Sequence, residues 1–241
     1  MTTLDDAAAV ITGASSGIGE ATAHALAERG ANVVLVARRR EALESVAEDV
    51  RSAHGVEAVV ADGDVRDAAT SAAAVEEFGG LDVAVVNAGI ARGSDVATMT
   101  DEEYSAMQGT NVDGAFFLTR EALPHLTERE GSLVAVGSFA GEYPRSFNPV
   151  YAATKWWVRG FAHSVAAQVG DDGVAVSVVN PSEVRTEFGS EDGEPFEERF
   201  EPGSVTEPAE VAEAIAFAAS RPGSTAQEID LFRRDKFADA L

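Results

Sequence analysis

Short apolar runs alternate with helix-forming stretches along almost the whole chain, and this rhythm limits the fold more than any other feature. Residues 7–12 form an apolar run ending in glycine, and 32–37, 56–61, 81–87, 132–137, 174–180 and 227–232 are further strand-like segments. Between them, 17–29, 40–53, 67–78, 101–127, 149–170 and 208–220 have helical composition, with Gly30 placed as a stop. Strands that are apolar on both faces need helices on both faces, which a parallel sheet provides. Right-handed crossovers then predict a doubly wound α/β architecture with a mostly parallel sheet of about seven strands. With 241 residues and neither repeat nor linker, one domain spanning 1–241 is expected.

Charge narrows the class. Asp plus Glu number 41 against 18 Lys plus Arg, a net charge of −23. Such a surface repels phosphate backbones and anionic lipids, so neither nucleic acid nor a membrane surface is an expected partner. The chain has no cysteine, hence no disulfide, thiol nucleophile or thiolate metal site, and His24, His54, His125 and His163 form no ligand cluster in sequence. No apolar run reaches the ~20 residues of a membrane helix. The first six residues lack a basic region followed by an apolar one. A cytoplasmic globular protein without a metal is the expectation. Lysine occurs only at 155 and 236; the other basic residues are arginine. High genomic GC content accounts for the arginine bias, whereas the carboxylate excess points to a salt-rich cytoplasm that screens the self-repulsion.

The first strand runs into Thr12-Gly13-Ala14-Ser15-Ser16-Gly17-Ile18-Gly19. Glycines at 13, 17 and 19 let the chain turn sharply and let a pyrophosphate approach the backbone at a helix N-terminus. Further on, Tyr151 and Lys155 stand four apart and share a helix face. An ammonium beside a phenol lowers the phenol's pKa from about 10 and readies it for proton exchange near neutral pH. A bulkier, permanently charged arginine cannot play this part, so one of only two lysines falling here is informative. Ser138, 13 residues before Tyr151 and just past a strand end, can donate to a carbonyl oxygen. A Ser/His/Asp hydrolase is a poor fit, because the chain has no Gly-x-Ser-x-Gly elbow.

Taken in order, the glycine loop, Asn87-Ala88-Gly89, Asn111-Val112-Asp113-Gly114, Ser138, Tyr151-Ala-Ala-Thr-Lys155 and Pro181-Ser-Glu-Val184-Arg-Thr186 resemble the short-chain dehydrogenase/reductase family from about residue 7 to 235. The resemblance implies a Rossmann fold and hydride transfer between a nicotinamide and a carbonyl or secondary alcohol. In it Ser138 orients substrate, Tyr151 is the general acid/base, and Lys155 tunes Tyr151 and holds the nicotinamide ribose. Asn111, on the helix predicted over 101–127, would complete a proton relay through a water. Gly13, Ser15, Ser16, Gly17, Ile18 and Gly19 would hold the pyrophosphate. Asp64 and Val65 would contact the adenine; Asn87, Ala88 and Gly89 its ribose; Pro181, Val184 and Thr186 the nicotinamide side. Three positions depart from the family pattern: Val86, Gly137 and Ser182 stand where Asn, Ser and Gly are usual.

Cofactor choice is read at the end of the second strand. NAD-binding domains place an acid there for the ribose 2′-hydroxyl. This chain has Ala37 followed by Arg38, Arg39 and Arg40. Arginine pairs with a 2′-phosphate, so NADP is expected over NAD, with Arg38 first and Arg39 second as the clamp. The alternative is a non-catalytic dinucleotide sensor on the same fold.

Residues 187–208 are irregular and acidic, with Glu187, Glu191, Asp192, Glu194, Glu197, Glu198 and Glu201. They read as a solvated loop or as a substrate lid, and their charge argues against an anionic substrate. Phe139, Tyr143, Phe147 and Phe188 are expected at the pocket mouth. The resemblance implies a homodimer or homotetramer, with Trp156, Trp157, Phe116 and Phe117 as candidate contacts.

Overall fold

Each of the seven apolar runs becomes a strand. The computed structural model describes residues 4–93, 95–189 and 194–237. The strands are β1 (Ala8–Thr12), β2 (Asn32–Ala37), β3 (Ala58–Asp62), β4 (Val83–Val86), β5 (Ser132–Val136), β6 (Ala175–Pro181) and β7 (Glu228–Leu231). They form one sheet in the order β3-β2-β1-β4-β5-β6-β7, parallel throughout. The winding reverses between β1 and β4, so a cleft opens at the carboxyl ends of these strands.

Alternate strand residues feed two cores. Ile11, Leu35, Val85 and Val134 pack under helices α1 (Gly17–Ala27), α2 (Arg40–His54) and α8 (Pro208–Ala219). Val10, Val34, Ala84, Leu133 and Val178 face α3 (Ala68–Glu76), α5 (Gly114–Arg129) and α6 (Pro149–Val169) on the opposite side. The two-faced burial explains why β1, β4 and β5 lack polar–apolar alternation.

Two expectations change. The helix predicted over 101–127 is broken: α4 (Asp101–Met107) passes into a π-helical segment, Gln108–Asp113, before α5 begins. Asn111 is its only buried residue. The Asn111 side chain accepts from Ile90 N–H at 2.8 Å and donates to the Ile90 carbonyl at 2.9 Å and to Thr154 Oγ1 at 3.0 Å. These three bonds to other segments occupy its amide inside the core, at a site where a π segment changes the side-chain register.

The second change is in 187–208, which is not a free loop over its described part. A single turn, α7 (Phe196–Arg199), folds back so that Phe196 N–H donates to the Phe188 carbonyl at 3.2 Å and Glu197 N–H to the Thr186 carbonyl at 3.0 Å. Arg185 N–H reaches the Thr206 carbonyl at 3.0 Å, beside a bridge between Val184 and Thr206. Glu191 and Asp192 lie outside the described residues.

Candidate active site

The glycine loop lies in the cleft between β1 and β4. Gly13 and Gly17 have φ of +67° and +58°, which L side chains rarely adopt. A Cβ on Gly19 would sit 2.1 Å from the Gly13 carbonyl oxygen, so only glycine lets α1 begin this close to the turn. Thr12 braces the loop: its hydroxyl donates to the Val85 carbonyl at 3.2 Å and accepts from Asn87 N–H at 3.0 Å and Ala88 N–H at 3.2 Å. Asn87 in turn donates to the Thr12 carbonyl at 2.8 Å. Asn87 and Ala88 are thereby fixed by side-chain bonds that the bare motif does not reveal. Ser16 is the N-cap of α1 with no side-chain cap bond, and the helix start faces the cleft. A tight loop whose glycines leave the backbone open at a helix N-terminus fits a dinucleotide pyrophosphate.

The three arginines after β2 separate in space. Arg40 is held by Glu44 at 2.8 Å and Asp62 at 2.6 Å. Arg39 bridges Ser16 Oγ at 2.8 Å, Ser15 Oγ at 3.2 Å and Glu187 at 3.0 Å. Arg38 is exposed and has no ion-pair partner within 4.0 Å among the described residues. Asp64 is taken by Arg66 at 2.6 Å, and that pairing holds its carboxyl below the usual range. Val65 is buried, with its side chain in the core under α5. Thr186 lies across from Gly17, where an added Cβ would meet its methyl at 3.0 Å. The base of the 187–208 segment therefore closes over the glycine loop, and Glu187 ties it to Arg39.

Ser138, Tyr151 and Lys155 meet one strand over. Ser138 caps a short 3-10 turn, Phe139–Gly141, by accepting from Ala140 N–H at 3.1 Å, and its side chain lies near the Tyr151 phenol and favours the ionised form. Tyr151 is 6% exposed and Lys155 5%. Lys155 Nζ donates to the Val136 carbonyl at 2.9 Å and is 6.0 Å from the Tyr151 ring centroid. A Cβ on Gly89 would lie 3.3 Å from that ammonium. Burial lowers the Lys155 pKa to about 8. The phenol moves the other way from the sequence expectation: burial pushes Tyr151 up, and the opposing pulls come from the Ser138 hydrogen bond and the Arg145 charge. At 6.0 Å from the ring, the Lys155 ammonium is spent on the Val136 carbonyl.

Helix α6, which carries Tyr151 and Lys155, is aimed by Asn148. This buried residue has φ +48°; its side chain accepts from Tyr151 N–H at 3.0 Å and donates to the Arg92 and Gly93 carbonyls at 3.0 and 2.8 Å. Asn148 escaped sequence reasoning, although Asn followed by Pro149 at a helix start is a capping signal. Thr154 escaped it too; it links Asn111 to α6 and donates to the Tyr151 carbonyl at 2.7 Å.

The departures from the family pattern have local causes. A Cβ on Gly137 would fall 2.1 Å from Asn180 Oδ1. Ser182 accepts from Arg233 N–H at 3.0 Å, pinning the chain after β7 to the segment after Pro181. That tail brings Phe232 and Phe237 against Phe139 and Tyr143, with ring centroids 5.2 to 6.3 Å apart. Phe188 lies 5.7 Å from the Tyr151 ring, and Phe147 is 57% exposed beside it in sequence space on the loop before α6. Two open clefts, about 340 and 510 Å³, lie at the other end of the sheet around Arg129, Glu130 and Arg221 and contain none of these residues. Among the described residues no cluster of His, Asp or Glu is arranged for a metal ion, and no helix is long and apolar enough to cross a membrane.

Comparison with known proteins agrees with this geometry. The short chain dehydrogenase family model matches residues 7–195. The chain is 34% identical over 233 residues to a 3-oxoacyl-(acyl-carrier-protein) reductase of Vibrio cholerae, covering 90% of this chain and 91% of that one. It is 35% identical over 180 residues to a 3-dehydrosphinganine reductase of Arabidopsis thaliana, matching 73% of this chain but spanning only about half, 54%, of the plant protein. Among solved structures, an alcohol dehydrogenase from Thermococcus sibiricus complexed with 5-hydroxy-NADP superposes with a TM-score of 0.86 at 30% identity, covering 95% and 97% of the two chains. The chain belongs to the short-chain dehydrogenase family of oxidoreductases.

Proposed function

We propose that this protein is an NADP-dependent reductase/dehydrogenase that interconverts a carbonyl compound and a secondary alcohol. The observation that carries the reading is the buried Tyr151 and Lys155 side by side on α6, with Ser138 near the phenol and a glycine cradle at the carboxyl ends of the strands. Ser138 and Tyr151 hold the substrate oxygen between them, and Tyr151 gives that oxygen its proton on reduction or takes it on oxidation. The charged form of Lys155 faces Gly89 and is placed for the ribose hydroxyls. The bound nicotinamide supplies or accepts the hydride. Arg38, just past β2 and without an ion-pair partner among the described residues, takes the 2′-phosphate, while Arg39 already braces the glycine loop. The NADP-containing relative supports the cofactor choice.

Assembly follows from α5 and α6. Phe116 and Trp156 are 39% and 47% exposed, which suits burial against a second copy in a homodimer or homotetramer. Trp157 instead stacks on Phe161 at 4.6 Å and packs against the core, so it stabilises the protomer.

The test is loss of NADPH absorbance with a panel of aldehydes and ketones. Tyr151→Phe keeps the ring packing and removes the proton donor; turnover should fall at least ~100-fold while NADPH binding, read by its fluorescence, is unchanged. Tight NADPH binding with no turnover on any carbonyl would favour the sensor. Near wild-type turnover in Tyr151→Phe would refute the mechanism.

A further inference from the structure

Arg145 is a partly buried cation that the proposed reaction does not use. It lies on the loop between Ser138 and α6, whose two ends are fixed by the Ser138 turn and by Asn148. Its guanidinium is 3.8 Å from the centroid of Phe147 and 5.5 Å from that of Tyr151, so it stands over the catalytic ring itself. No carboxylate lies within 4.0 Å of it among the described residues. Glu183 attracts it from a distance, while its Oε1 is bonded by Lys236 at 2.6 Å. In a chain with 41 acidic residues, nearly every other arginine of the site region has found an acid: Arg39, Arg40, Arg66 and Arg185 are all paired. A desolvated guanidinium without an anion is costly, and two aromatic faces compensate only part of that cost. The fork geometry of arginine matches a carboxylate.

We propose that Arg145 is a specificity-determining residue that binds a carboxylate of the substrate, so that the preferred carbonyl compounds are oxo acids with the acid group next to, or one carbon from, the reacting carbonyl. This rests on the reductase reading and runs against the expectation, drawn from the acidic 187–208 segment, that an anionic substrate is disfavoured. Within that segment Glu187, the acid next to Phe188, is bonded to Arg39 and Ser16. Phe188 and Phe147 provide apolar walls for the remainder of such a substrate.

The experiment compares benzoylformate with its methyl ester, which share the ketone and the phenyl ring and differ in the charge. Wild type should reduce the acid with the higher kcat/KM. Arg145→Met should lower kcat/KM for the acid about 10- to 100-fold and leave the ester within about threefold. Arg145→Lys should recover part of the loss, since it keeps the charge without the fork. If the ester is preferred by wild type, or if Arg145→Met slows both substrates equally and shifts the pH profile measured with the ester, Arg145 acts on Tyr151 and the proposal fails. Calorimetric titration of the protein–NADP complex with mandelate separates the two readings. Mandelate binding that is lost in Arg145→Met, without turnover of either ketone or of any carbonyl in the panel, would sustain Arg145 as a carboxylate site and sink the reductase assignment. Turnover of the ester with no mandelate binding would do the reverse.

Discussion

The two sides of the ligand cleft are built by different means. On the side of β1, β2 and β4, recognition is made mostly of backbone: glycines at 13, 17 and 19, a helix start at Ser16, and Asn87 and Ala88 held by Thr12. On the side of β5, β6 and β7, side chains do it, and they come from separated segments: Ser138, Arg145, Tyr151, Phe188, Phe232 and Phe237. A ligand of fixed shape can be gripped by a short contiguous loop, and such a loop has a spacing that reads directly. A variable substrate is gripped by side chains that only the fold brings together.

In the function proposed above, cofactor discrimination is where the nucleotide side leaves the backbone and relies on one side chain, and it gives the largest expected effect. Arg38 has no ion-pair partner among the described residues, Arg40 is held by two acids, and Arg39 is already engaged with Ser15, Ser16 and Glu187. In Arg38→Ala the ratio of kcat/KM for NADPH over NADH should fall about 10- to 100-fold, with Arg39→Ala having a smaller effect. Raising KCl should shrink the wild-type preference, since the pair is exposed. A wild-type preference for NADH would overturn the cofactor assignment; collapse of the ratio in Arg39→Ala alone would move the clamp by one residue.

Legibility followed the same division. All seven strands, the glycine loop and Tyr151-x-x-x-Lys155 were readable because each is set by local periodicity or spacing. The π segment around Asn111 was not, because its cause is a set of bonds to Ile90 and Thr154, which are 21 and 43 residues away. The folding of 196–206 against 184–188 depends on backbone pairing between the two, again non-local. Tyr151 shows the limit most sharply: its neighbour at i+4 suggested a lowered pKa, yet burial dominates and the nearby cation is Arg145, which no motif marks.

Lys155 joins the two sides, and pH tests whether its charge serves the cofactor. The folded protein loses this proton near pH 8, whereas an exposed lysine does so near 10.5. NADPH affinity should therefore weaken severalfold as pH rises through about 8, and Lys155→Met should bind more weakly with a flat profile. Stability has the opposite sense for this group. Between pH 8 and 10.5 the unfolded chain binds more protons here than the folded one, so folding becomes more favourable as pH rises. The melting temperature of Lys155→Met, which buries no charge, should exceed that of wild type most at pH 7, and the gap should narrow toward pH 10. A gap independent of pH would mean that Lys155 is not the titrating group.

The C-terminal tail gives the smallest and most selective effect. Phe237 is 45% exposed and packs edge-on against Tyr143 at 5.6 Å and Phe232 at 5.9 Å, closing a cluster that begins at Phe139 directly after Ser138. Lys236, the other lysine of the chain, locks the tail by donating to Glu183 at 2.6 Å while lying 4.3 Å from the Phe139 ring centroid. An aromatic contact of this kind is worth roughly 0.5–1.5 kcal/mol, or about two- to tenfold in an equilibrium. Phe237→Ala should accordingly raise KM for aryl ketones about two- to tenfold, change KM for small aliphatic ketones less, and leave NADPH affinity as it was. The measurement is the pair of KM ratios in one buffer. If NADPH affinity falls with the ketone KM, then the tail acts through Ser182 and the segment after Pro181 on the cofactor, and the boundary between the two sides runs through the tail rather than beside it.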